Sequence, residues 1–171
     1  MTIARPVRVE PVSSGAEREQ LESWLDYYRS TLVLKCAGLS FEQLTTAAVA
    51  PSTLTLLGIL RHMTHVEQSW LQRRFAGLAP VPVYETEGDP DGDFNNLTSA
   101  SLDDVEGLYW LTCERSRELC AGHGLDEMAR YSRPGREVDL RWIYIHLIEE
   151  YARHCGHADL LRERIDGETG D

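Results

Sequence analysis

Long apolar runs, paired cysteines and basic clusters are what this sequence lacks, and each absence excludes a class of protein. No stretch reaches the roughly 18 consecutive apolar residues that cross a bilayer, so no transmembrane helix is expected. Only four cysteines occur, Cys36, Cys113, Cys120 and Cys155, and no two stand as a Cys-x-x-Cys pair. They read as free thiols packed inside helices in a reducing compartment, rather than as disulfides. Basic residues are scarce against acidic ones, 17 Lys and Arg to 28 Asp and Glu, for a formal charge of −11. With no face of clustered Lys and Arg, neither nucleic acid nor an anionic membrane surface is an expected partner. The acidity reads instead as a well-solvated surface. Residues 1–15 hold no continuous apolar core, so no signal peptide is expected and the protein is placed in the cytoplasm. Strand signals are nearly absent too: only Val81–Tyr84 alternates, and Pro82 interrupts it.

What is present is helical periodicity. With 171 residues, 42% of them hydrophobic, the chain fits one domain able to bury a sizeable core. Residues 1–15 contain Pro6 and Pro11 and read as an extended arm. From Ala16 to about Ala37, Leu21, Trp24, Leu25, Tyr28, Leu32 and Cys36 recur at helical spacing, and Gly38 is a fitting stop. Ser40 followed by Gln43 matches a capping box, which predicts a short helix over 41–46. Pro51-Ser52-Thr53 opens a second long helix that runs to about Phe75, with Leu56, Ile59, Leu60, Met63, Val66 and Trp70 as its stripe. Residues 77–100 hold Pro80, Pro82, Pro90, Gly88, Gly92 and several acids, and form a long loop of the kind that often carries function. A third helix starts at Ser101 and carries Leu102, Val105, Leu108, Tyr109, Leu111 and Leu119 to about Ala121. A final helix runs from Asp139 to about Ile165, before Gly167. Long helices joined by connections of uneven length predict an all-α antiparallel four-helix bundle.

Polar residues on the apolar faces are the informative signal. On the last helix the inward stripe reads Leu140, Ile143, Leu147, Glu150, His154, Ala158, Leu161, Ile165. Steps of three and four residues put side chains on one face, so Glu150 and His154 can offer an oxygen and a nitrogen to the same ion. A buried carboxylate without a partner would cost several kcal/mol, and a shared cation removes that cost. His146 precedes Glu150 by four, and His157 follows His154 by three, so a ladder of candidate ligands runs along the helix. On the second helix, His62 lies at the edge of the apolar stripe and His65 lies further toward the polar side, which makes His62 the better third ligand. Two histidines and one carboxylate leave coordination positions open, as in catalytic zinc and non-haem iron sites. The competing reading keeps the histidines as core side chains and pairs Glu149 or Glu150 with Arg153 along a solvated edge.

The run from Leu57 to His62 with Val66, Glu67 and Trp70 resembles the DinB-like superfamily when taken with Asp139–Trp142 and Ile148–Arg162. The likeness spans residues 16–166 and looks closest to an actinobacterial subgroup related to mycothiol-dependent maleylpyruvate isomerases and bacillithiol S-transferases. It implies a DinB-like bundle over 16–166, behind the arm of residues 1–15, with the long loop between the second and third helices. It implies a divalent metal, zinc first and nickel, iron or manganese as alternatives, on His62, Glu150 and His154. His157, His146 and His65 stand behind that set or as alternative ligands; His157 sits where many relatives carry Gln. The implied chemistry is activation of a low-molecular-weight thiol, mycothiol or similar, in an S-transferase or a thiol-dependent isomerase acting on a small molecule. Tyr144, Tyr151, Arg153 and His65 fall near the site by helical arithmetic, as acid–base or anion partners. A metal- or ligand-binding protein without turnover and a structural dimerising bundle are the competing readings, and a homodimer is compatible with all three.

Overall fold

A computed structural model describes residues 2–97, 101–132 and 134–170 of the protein. Among these residues the architecture is all-helical: α1 (Glu17–Cys36), α2 (Phe41–Leu44), α3 (Leu56–Glu67) running on as a π-helical segment (Gln68–Phe75), α4 (Leu102–Cys120) and α5 (Leu140–Asp166). Strand-like pairing is confined to isolated bridges, Thr86 with Asp89 and Met128 with Asp139. No helix among the described residues is long and apolar enough to cross a membrane.

Local chemistry sets the helix ends. The Ser40 hydroxyl and the Gln43 amide cap each other's backbone N–H at the start of α2, so the capping box forms as expected. Ser101 accepts from Asp104 N–H at the start of α4, and Asp139 accepts from Trp142 N–H at 2.8 Å at the start of α5. Gly167, in the left-handed region at φ 83°, stops α5. The second long helix begins later than Pro51 predicts. Residues 49–54 close into turns, with Ser52 N–H on Val49 O and Leu54 N–H on the Ser52 hydroxyl. Thr55 then caps α3 by accepting from Gly58 N–H.

Helix α1 lies along α5, while α3 packs against both α4 and α5. Leu25, Leu32, Ile59, Met63, Tyr109 and Leu147 are among the side chains that fill the space between them. The N-terminal residues are not free of this body, because Ile3 is buried and its carbonyl accepts from Gly38 N–H. Two stripes differ from the periodicity reading. Leu111 is 67% exposed, and Thr112, Cys113 and Ser116 take the inward face of α4. On α5 the buried face runs through Tyr144, Leu147, Tyr151, Cys155 and Ala158, so Glu150 and His154 sit on its flank, half-buried, rather than at its centre.

The core also contains an ion pair. Arg29 of α1 and Glu67 of α3 are both buried and meet in a two-pronged pair, Nε to Oε1 at 2.8 Å and Nη2 to Oε2 at 2.9 Å. Tyr151 donates to Glu67 at 3.1 Å, and Tyr109 lies within 3.1 Å of both the Tyr151 hydroxyl and the Arg29 carbonyl. Satisfaction of nearly every lone pair is what makes such a buried pair tolerable.

Candidate metal centre

The flank of α5 faces the flank of α3, and there His62, Glu150 and His154 converge. One ligand atom from each lies within 4.8 Å of the others. The His62 and His154 rings are 5.0 Å apart between centroids, and His154 Nε2 is 3.7 Å from Glu150 Oε2. Their side chains are 25%, 12% and 20% exposed for His62, His154 and Glu150, so the cluster is sheltered yet reachable from solvent. Burial, with the neighbouring His62 and His157, pushes the His154 pKa down to about 4, so its imidazole is neutral at ordinary pH. Its Nδ1 is buried without a hydrogen-bond partner. A neutral ring with an unspent lone pair beside a carboxylate and a second imidazole fits a borderline divalent metal.

The connection after the π segment adds a residue that sequence reasoning missed. Asp93 Oδ2 lies 3.2 Å from His62 Nδ1. A carboxylate accepts, so the hydrogen of this bond sits on Nδ1 and Nε2 keeps the lone pair for an ion. Phe94 stacks on the same ring with centroids 5.2 Å apart, fixing its plane. Nothing in the spacing of the acids between 85 and 93 singles Asp93 out; only the path of the chain does.

The other sequence-predicted residues divide. His146 joins the cluster's edge, Nε2 at 3.5 Å from Glu150 Oε1, and with Glu149 and Glu150 forms another group of close donor atoms. His157 lies against His154, edge to face at 5.3 Å, and its Nδ1 is buried and unpartnered, but it belongs to none of the close donor groups among the described residues. His65 is drawn to Glu85 at 3.3 Å. Helical arithmetic misplaced three side chains. Tyr144 is buried and bonds Glu22 and Arg18, and Tyr151 is taken up by Glu67 and Tyr109; both face the core side of α5. Arg153 is exposed and pairs with Glu149, so the solvated edge exists beside the cluster rather than instead of it.

A cavity of about 250 Å³ adjoins the centre, lined by Trp70, Arg74, Arg136, Val138, Trp142 and His146. The indole rings of Trp70 and Trp142 are 5.4 Å apart, and each contacts the His146 ring, at 4.5 and 5.0 Å. His146 is therefore the partition between this cavity and Glu150. Among its described residues, the 77–100 loop contributes nothing to the lining of this cavity and reaches the centre through Asp93 and Phe94.

None of the chain's own thiols lies here. All four are buried, Cys36 and Cys155 aim at the carbonyls of Leu56 and Tyr28, and Cys113 lies 4.0 Å from the Tyr151 hydroxyl. Burial pushes Cys36, Cys113 and Cys155 up to about 12 and Cys120 up to about 11. They are packing residues, held away from the His62–Glu150–His154 cluster.

The family model described as mycothiol-S-transferase matches residues 20–167. No curated protein matches the chain.

Proposed function

The chain belongs to the mycothiol-S-transferase family, and from that membership we propose that it is a metal-dependent enzyme that transfers a low-molecular-weight thiol, mycothiol or a close analogue, to an electrophile. The single observation that carries the reading is the convergence of His62, Glu150 and His154 in a chain whose own thiols are buried and unreactive. A divalent cation held by these three residues, zinc being the first candidate, would supply a Lewis acid that lowers the pKa of a bound thiol. Asp93 holds the His62 ring with Nε2 facing away from the Nδ1 bond, which prepares that nitrogen as a donor. Trp70 and Trp142 line this cavity, with the Arg74 guanidinium 4.5 Å over the Trp70 ring, and Arg136 adds a cationic group to the lining. His146, between cavity and cluster with Nε2 3.5 Å from Glu150 Oε1, would be the nearest acid–base group to a thiol bound there.

The helices α1, α3 with its π segment, α4 and α5 are read as the four members of an antiparallel DinB-like bundle spanning residues 16–166. Residues 1–15 form the arm, and the enzyme works in the cytoplasm.

The test begins with metal content. Protein purified without chelator is expected to hold metal at His62/Glu150/His154 that both His62→Ala and His154→Ala lose. Mycothiol consumption with monochlorobimane, where the sulfur–carbon bond forms and chloride leaves, is expected in the metal-loaded wild type and at least about 100-fold slower in His154→Ala. A wild type that takes up no Zn²⁺, Ni²⁺ or Fe²⁺ sinks the enzyme reading.

A further inference from the structure

Asp93 does more than orient His62. It is 3% exposed, and its Oδ1 is buried with no hydrogen-bond partner. Its other oxygen is occupied by His62 Nδ1. The Arg61 guanidinium is near enough to attract Asp93 electrostatically. That guanidinium is nevertheless turned elsewhere: Nη1 and Nη2 donate to the carbonyls of Asn95 and Gly92, and the group lies 4.1 Å over the Tyr84 ring. A carboxylate oxygen left without a hydrogen bond in the interior carries the desolvation cost of a buried acceptor.

Two further donors stand close by. His65 lies one turn beyond His62 on α3, and its Nε2 is 3.3 Å from Glu85 Oε1. One donor atom from each of His65, Glu85 and Asp93 falls within 4.8 Å of the others. None of the three belongs to the His62–Glu150–His154 set. One imidazole and two carboxylates suit a borderline or hard divalent ion such as Zn²⁺ or Mn²⁺.

We propose that His65, Glu85 and Asp93 form a second divalent-cation site, next to the first and joined to it by the Asp93–His62 hydrogen bond. An ion there satisfies the buried carboxylate, and its two positive charges offset the two acids. It also ties the connection that carries Glu85 and Asp93 onto α3. The carboxylate that fixes the His62 ring is thereby itself fixed, so the second ion supports the geometry of the first site without touching its ligands.

The experiment is a Zn²⁺ titration of the full metal-stripped chain, read as bound metal per chain by mass spectrometry after dialysis. His65→Ala, Glu85→Gln and His154→Ala are compared with wild type. Glu85 is a third exposed, so the isosteric Gln leaves packing intact and decides the matter if His65→Ala fails to fold by circular dichroism. Wild type is expected to hold two ions, and each of the three variants one. A wild type with a single ion that vanishes in His154→Ala overturns the second site and leaves the first standing. A single ion that vanishes in Glu85→Gln but survives in His154→Ala upholds the second site and removes the first. Two ions retained in both Glu85→Gln and His65→Ala, or none in wild type, overturn the proposal.

Discussion

A side chain's neighbours decide what its chemistry can be, and the cysteines and histidines here fall on opposite sides of that rule. Each thiol is buried and pushed up to about 11 or 12, so almost none of it is thiolate near neutrality. The native protein at pH 8 is therefore expected to leave all four cysteines unmodified by iodoacetamide, and the urea-unfolded chain to expose all four; intact-mass measurement reads both. Fast labelling of any native cysteine would contradict the assignment of the nucleophilic thiol to a co-substrate. The histidines near α3 and α5 instead meet carboxylates or one another. Glu67 belongs to neither group. It is fully buried on α3, but its partner Arg29 is 38 residues away and no local rule names it.

Helices carry these side chains at fixed intervals, and departures from regularity move them. Between Gln68 and Phe75 the chain widens into π turns, with Ala76 N–H bonding Leu71 O. The wider turn breaks the 100° step on which Trp70 was placed in the core stripe. Trp70 ends half-buried against Trp142 and His146, where it forms a wall of the cavity. The opposite wall depends on the first turn of α5, which Asp139 caps through Trp142 N–H. Asp139→Ala is expected to cost about 1 kcal/mol, as loss of a helix cap usually does, measured by urea denaturation. The same variant should show altered tryptophan emission as Trp142 loosens. An unchanged unfolding midpoint would show that the cap carries no load.

At the scale of the molecule, metal and fold are coupled by mass action. An ion that binds only the folded chain adds about 2.7 kcal/mol at a free concentration one hundred times its Kd. For a protein of this size that corresponds to a rise in Tm of roughly 5–10 °C. Scanning calorimetry with Zn²⁺ is expected to show a larger rise in wild type than in His154→Ala, which keeps only the ion of the second site. Equal shifts in both proteins would place the stabilising ion elsewhere. The long connection takes part in this coupling, because Asp93 and Phe94 are held by the ring of His62 and Arg61 is held by Gly92 and Asn95 in return.

Helical periodicity, caps and breakers determined the all-helical class, and the ends of α1, α2, α4 and α5 came within a residue or two, because these signals act over one or two turns. The i, i+4 spacing of Glu150 and His154, with His62 at a stripe edge, was legible for the same reason: residues four apart on a helix are neighbours whatever surrounds them. Which flank of α5 they occupy, and that Tyr144 and Tyr151 turn away to the core, was decided only when α1 and α3 packed against that helix and took its apolar face. Asp93, Glu85 and the cavity behind His146 were beyond the sequence altogether. They arise where an irregular connection and two helix flanks meet, and the positions of those parts are fixed by packing across the whole chain rather than by any local preference.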